Sequence, residues 1–297
     1  MSAGQIHDLG YKRYVGSRRS MGTRWTVIMR HQIATAWKGW WRFKPWLIAG
    51  LIATSVAGGV LYFLHGNLLR MIGGFSGQVI KFADGILPIS MLWYAPIGFL
   101  ASLTVSATVV AGDVQSGALT FYFARSVRPR DYVIGKLAGL GVLLSLIMLA
   151  GPLVLAGVRL GLSDDRHQLF ELLPVAYKAL AIGVLGTLIY AAVPLGFSAL
   201  IPNRRYAMAL WAAYYLLLGS MAQVIGRLTA PTVGALDLAA SLKSISLSLF
   251  DVHLSGSDLS IPASAALISI LGHVAIAIGL VVWRVRNAQQ TGVGGSS

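Results

Sequence analysis

The chain has 297 residues, 56% of them hydrophobic and 11% charged, with a mean hydropathy of +0.71. Soluble domains carry about a quarter charged residues, so the composition argues against a water-soluble fold and for a polytopic membrane protein. The net charge of +14 does not point to nucleic acid, because Lys and Arg fall between apolar runs instead of gathering on a polar domain with a groove, and the lack of cysteine excludes disulfides and thiolate metal sites.

Residues 1–18 are polar and without period, and are expected to form a loose cytoplasmic tail. Met1 to Ser20 holds no apolar core of a signal peptide. From residue 19 to residue 44 a helical period appears. Trp25, Ile28, Met29, Ile33, Ala36, Trp37 and Trp40 share one side, and Arg24, His31, Thr35, Lys38 and Arg42 the other. A basic face against a Trp-rich face predicts a helix lying in the lipid headgroup layer, with Trp25, Trp37, Trp40 and Trp41 at the membrane interface. A soluble surface helix fits less well, because the Trp cluster stands just before a membrane span.

Six charge-free segments follow, Pro45 to Leu69, Ile86 to Ala111, Leu137 to Val158, Ala179 to Pro202, Tyr206 to Gly226 and Leu259 to Trp283. Each reaches the roughly 20 residues needed to cross about 30 Å of hydrocarbon. They predict an all-α fold with spans near 45–65, 87–111, 137–158, 179–201, 206–226 and 262–283 in a transmembrane domain of residues 45–283, followed by a cytoplasmic tail of 284–297. Pro88, Pro96 and Pro194 are tolerable where neighbouring groups recover the freed carbonyls.

The connections set the orientation. Nine Lys and Arg before the first span, four in 112–136, two at Arg204 and Arg205 and two at Arg284 and Arg286 make seventeen on one side, against seven on the other. The positive-inside rule puts the seventeen, with both termini and the 112–136 connection, in the cytoplasm of a cell whose plasma (inner) membrane holds the chain. On the other side a short turn is expected around Asp164, Asp165, Arg166 and Glu171, and outer helical segments over 229–258. There Leu238, Leu242, Ile245 and Leu249 share one helical face, and Asp237, Ser241, Ser244, Ser248 and Asp251 the other. Ser244 to Leu249 also alternates strictly, which leaves a strand open.

Catalytic patterns are missing. The His residues lack ligand spacing, no HExxH occurs, and Gly73 to Gly77 (GGFSG) does not match a nucleophile elbow. Gly135 and Lys136 precede Leu137 where a phosphate-binding loop needs a hydroxyl, so nucleotide hydrolysis by that route is excluded and the chain is not expected to be an enzyme by itself. No metal site is expected. Within the spans, Gln223 and His273 stand out as pathway or interhelical polar residues, with a neutral His273 hydrogen-bonded to an adjacent helix as the simpler alternative. Ser198, Thr187, Ser220 and Ser269 read as packing and hydrogen-bonding positions.

The 25-residue stretch from Gly112 to Lys136, GDVQSGALTFYFARSVRPRDYVIGK, is too charged for hydrocarbon and too apolar for disorder. Its Asp113, Gly117, Ala118, Leu119, Arg125, Val127, Arg130, Gly135 and Lys136 match in kind the signature of ABC transporter permeases of the type-2 exporter class, which the chain resembles over nearly its whole length. The departures are Asp113 for Glu, Ala118 for Thr, Ser126 where Pro is usual, and Pro129 three residues onward.

The resemblance implies a coupling helix that docks on a separate nucleotide-binding ATPase subunit. It places Asp113, Phe121, Phe123, Arg125, Ser126, Val127, Arg128, Pro129, Arg130 and Asp131 at that contact, with ATP and Mg held by the partner and no cofactor on this chain. It also implies a second permease chain, identical or related. The competing reading is a membrane anchor that recruits a cytoplasmic partner without transport, with no role for nucleic acid in either.

Overall fold

The computed structural model describes residues 23–63, 85–124, 127–163, 166–252 and 260–293, and no strand occurs among them. In chain order the helices are α1 (Arg24–Lys38), α2 (Lys44–Phe63), α3 (Gly85–Gln115), α4 (Ala118–Ala124), α5 (Pro129–Gly161), α6 (Arg166–Leu200), α7 (Arg204–Leu228), α8 (Leu238–Leu249) and α9 (Ala263–Val293). A 3-10 helix, Pro231–Leu236, joins α7 to α8. Six of these helices, α2, α3, α5, α6, α7 and α9, are long and apolar enough to cross a membrane. α3 and α6 are central, with 61% of their apolar windows buried, whereas α7 buries only 17%.

The spanning helices run past the hydrophobic limits expected from sequence. α6 has 35 residues, which at 1.5 Å each is about 52 Å and exceeds the ~30 Å of a hydrocarbon core. It begins at Arg166, so much of the expected Asp164 to Glu171 turn is helical, with His167 Nδ1 3.3 Å from Glu171 Oε1 one turn on. α5 starts at Pro129 instead of 137 because Pro at the first helical position brings a preset φ and the Asp131 carboxylate accepts the Arg128 N–H at 3.3 Å. A count of apolar residues stops at the first charge, but a helix does not.

The fully buried Tyr94 and Trp211 keep their polar tips paired, whereas the indole nitrogens of Trp46 and Trp93 are buried without a hydrogen-bond partner among the described residues. Tyr94 bonds Thr54 Oγ1 at 2.6 Å, and Trp211 Nε1 donates to Ser102 Oγ at 2.9 Å. Where α3 bends at Ser106 to Thr108, the freed Ala111 N–H donates to Ser198 Oγ of α6 at 3.0 Å. Ser198 is therefore the interhelical position expected, whereas Thr187 Oγ1 bonds Gly183 O and Ser220 Oγ bonds Leu216 O within their own helices.

α1 lies along α5. A β-carbon on Gly135 would come within 2.7 Å of Trp25 O, and one on Gly139 within 3.1 Å of Met29 O. Two glycines four residues apart thus allow backbone approach, as small residues do in membrane helix pairs. The α1 stripe against α5 is Ile28, Gln32 and Ala36, all buried. Gln32, a polar residue that amphipathic periodicity placed on neither face, sits in its middle. Trp37, Trp40 and Trp41 remain exposed, Trp41 at 79%, while Trp25 is half-buried.

α8 is a helix, which removes the strand alternative. It packs against α3, α6 and α9, and of the serines on its expected polar face Ser241 is buried, Ser244 half-buried and Ser248 exposed. Ser241 and Ser246 are fully buried beside Leu238 and Leu242, and Ser246 Oγ donates to Pro88 O at 3.0 Å.

Candidate functional site

Two polar constellations lie at opposite ends of the bundle. The first closes the connection between α3 and α5. Lys136 Nζ is 2.8 Å from Asp113 Oδ2 and donates to Gln32 Oε1 at 3.2 Å, while Tyr132 OH donates to the same Asp113 oxygen at 2.8 Å. Lys136 is only 3% exposed, and its ammonium lies 5.5 Å from the Tyr132 ring centre. Residues 113 and 136, near the two ends of the stretch singled out in the sequence, are therefore an ion pair that fixes both helix ends and ties them to α1.

Between those ends the chain turns sharply. Gly117 has φ of 67°, the left-handed conformation that ends a helix and that a β-carbon disfavours. α4 follows, packed by buried Leu119 and by Tyr122, whose ring meets Tyr132 edge-on at 5.6 Å, and it leans on α9. Burial and the nearby Asp113 charge raise the Tyr122 phenol above its ordinary 10.0. Phe121 points away from this support and is 74% exposed.

The residues nominated for partner contact separate into two groups. Phe121, Arg128 and Arg130 are exposed, and Phe123, Val127 and Pro129 are half-buried beside them. Asp113 and Asp131 turn inward, the first to Lys136 and Tyr132, the second to the start of α5, where its other oxygen is 4.0 Å from Arg130 Nε. The side chains of Arg125 and Ser126 lie outside the described residues.

The second constellation surrounds the 3-10 helix. Of its last carbonyls, Gly234 O accepts from the Asp237 N–H at 3.1 Å, and side chains from the neighbouring helices meet this turn as well. Gln223 Nε2 from α7 donates to Gly234 O at 3.1 Å. Ser241 of α8 and Ser269 of α9 both donate to Ala235 O, at 2.8 and 2.6 Å. Tyr214 OH reaches Leu236 O at 3.0 Å and His273 Nε2 at 2.6 Å. His273 Nδ1 is 2.7 Å from Ser269 O, and since a carbonyl only accepts, Nδ1 carries a proton.

Gln223 and His273, nominated from the sequence, thus meet at one turn with Tyr214, Ser241 and Ser269. Tyr214 opens a π-helical turn, Tyr214–Leu218, a local widening often found at functional sites. Tyr190 OH and Tyr215 OH are 3.2 Å apart on the neighbouring face.

Asp237, expected on the helical face opposite Leu238 and Leu242, is half-buried here. Its Oδ1 caps α8, accepting from Ala239 N at 3.0 Å and Ala240 N at 3.2 Å. Burial raises its carboxyl above the ordinary 3.8, and the bonds from Ala240, Ala239 and Gln223 act in the opposite direction. The expected outer segment holds Asp237 inside a helix, whereas α8 begins one residue later and makes it the cap.

The chain matches no protein-family model and no curated protein.

Proposed function

We propose that the chain is the membrane-spanning permease subunit of an ATP-binding-cassette exporter, driven by ATP hydrolysed on a separate subunit. The observation that carries this reading is the α4 connector. It is held at both ends by Asp113 and Lys136, yet leaves Phe121 of α4 exposed, as are Arg128 and Arg130 at the start of α5. An aromatic anchor with an arginine rim is the composition of a binding patch, and a rigid mounting transmits force where a loose loop does not.

In this reading the connector end faces the cytoplasm, in accord with the seventeen-to-seven charge asymmetry. ATP binding closes the partner, and movement of α4 reaches α3 and α5 through the ion pair, provided the two membrane states bind the partner with different free energy. A second permease chain completes the pathway, and α2 and α7, the spanning helices with the least buried windows, offer the most lateral surface for it.

The test is co-purification of the full chain from membranes with an ATPase whose turnover depends on it. Phe121→Ala and the pair Arg128→Glu with Arg130→Glu are expected to lower that turnover by about tenfold or more, the scale of a hot-spot truncation. Unchanged turnover in both sets the coupling role aside. A partner that co-purifies without ATP turnover favours the anchoring reading instead.

A further inference from the structure

Beside the Asp113–Lys136 pair a cleft of about 260 Å³ opens between α1, α3 and the start of α7. Three cations line it, Arg42, Arg204 and Lys136, against the single carboxylate of Asp113, and that carboxylate already accepts from Lys136 and Tyr132. His31, Gln32, Thr35, Thr104 and Thr108 add to the polar lining.

The Arg204 guanidinium lies against Gly112, where a β-carbon would stand 2.5 Å from its Nε and 3.0 Å from its Cζ. Arg42 is held from its backbone, where its carbonyl accepts from Thr104 Oγ1 at 2.5 Å. Among the described residues neither guanidinium has a carboxylate within ion-pair distance.

The cleft also has a definite level along the bundle. Arg42 stands between the exposed Trp41 and Lys44, the first residue of α2, and the Lys44 ammonium lies 5.5 Å from the Trp40 ring centre. Exposed Trp rings and Lys at the end of an apolar helix mark the boundary between hydrocarbon and water. The abundant anions at that boundary are phosphodiesters, whose oxygens suit the planar fork of a guanidinium.

We propose that this cleft binds a phosphate-bearing anion, with the headgroup of an acidic phospholipid as its source in a membrane. Two guanidiniums take the phosphate oxygens, and Lys136 supplies background charge while staying paired with Asp113. The acyl chains lie outward along the apolar surface beside Trp40 and Trp41. The proposal rests on the membrane-spanning reading and is independent of the ATPase partner.

The experiment uses the full chain, purified in neutral detergent and stripped of lipid. Phosphatidylglycerol, phosphatidylcholine or glycerol 3-phosphate is added, and retention is read by native mass spectrometry. Wild type is expected to hold phosphatidylglycerol over phosphatidylcholine, and R42Q/R204Q to lose that retention by about tenfold, with R42K/R204K falling between the two because an ammonium keeps the charge but not the planar fork. Arg227→Gln, at the other end of α7, is expected to change nothing. Displacement by glycerol 3-phosphate supports the site with a soluble source, and failure to displace supports the lipid source.

Equal retention in wild type and R42Q/R204Q overturns the proposal, as does a wild type that retains neither phosphatidylglycerol nor glycerol 3-phosphate. If the double variant does not fold, Arg42→Gln alone carries the comparison, because its side chain is exposed. Failure of the membrane reading would appear separately, as a chain released from membranes without detergent. Failure of the ATPase assignment would leave lipid retention untouched.

Discussion

Lys136 concentrates most of the energetic stake held by one side chain. A buried ammonium persists only with its partners, and removing one partner of such a pair costs roughly 3 to 5 kcal/mol because the other charge is left stranded. Asp113→Asn and Lys136→Met are each expected to destabilise the protein on that scale, while the double variant recovers a large part of the loss. A double-mutant cycle on thermal unfolding in detergent reads the coupling, and additive losses would show that the pair does not act as a unit. Asp237 behaves differently. Its folded pKa lies above the unfolded value, so the native state holds a proton that the unfolded chain gives up. Its contribution is therefore full below the ordinary 3.8 and is lost as pH rises through the raised folded value. Asp237→Asn keeps a capping oxygen and is expected to abolish this pH slope, whereas Asp237→Ala removes the cap at a cost of about 1 kcal/mol. Unfolding curves across pH compare all three, and a slope that survives in Asp237→Asn would place its origin elsewhere.

Each helix is held by a contact that its own hydrophobic pattern does not reveal. α1 depends on two glycines of α5, and Gly139→Leu inserts a branched side chain where Met29 O and Gln32 Cβ now stand within 3.1 Å. That substitution is expected to detach α1, raising amide exchange over Arg24–Lys38 while the spanning helices stay protected. Unchanged protection of α1 would mean that the α5 groove is not what holds it. The 3-10 helix depends on side chains from α7, α8 and α9. Replacing Gln223 by Leu or Ser269 by Ala leaves a carbonyl less satisfied, and each is expected to cost about 1 to 3 kcal/mol. Thermal unfolding measures both, with Thr187→Ala as the comparison whose hydroxyl bonds only its own helix.

At the scale of the whole molecule, one constellation pins the two helices that flank α4 and the other seals a turn. If α4 docks on an ATPase, Phe121→Ala reduces ATP turnover without changing unfolding, because its ring is exposed, whereas Asp113→Asn changes both. The sequence by itself determined the class of fold and the number of helices long and apolar enough to cross a membrane, because long charge-free runs and flanking cations are properties of composition along the chain. It also singled out Gln223 and His273 as polar residues in apolar surroundings. What only the tertiary structure decided is where the polar groups go. Asp113 meets Lys136 across 23 positions of sequence, Gln32 crosses from α1, and Asp237 turns from a residue of the polar helical face into a cap. Hydrophobicity acts locally and survives in the sequence, but a buried hydrogen bond needs two partners whose separation along the chain carries no period, so its pairing emerges only when the helices pack.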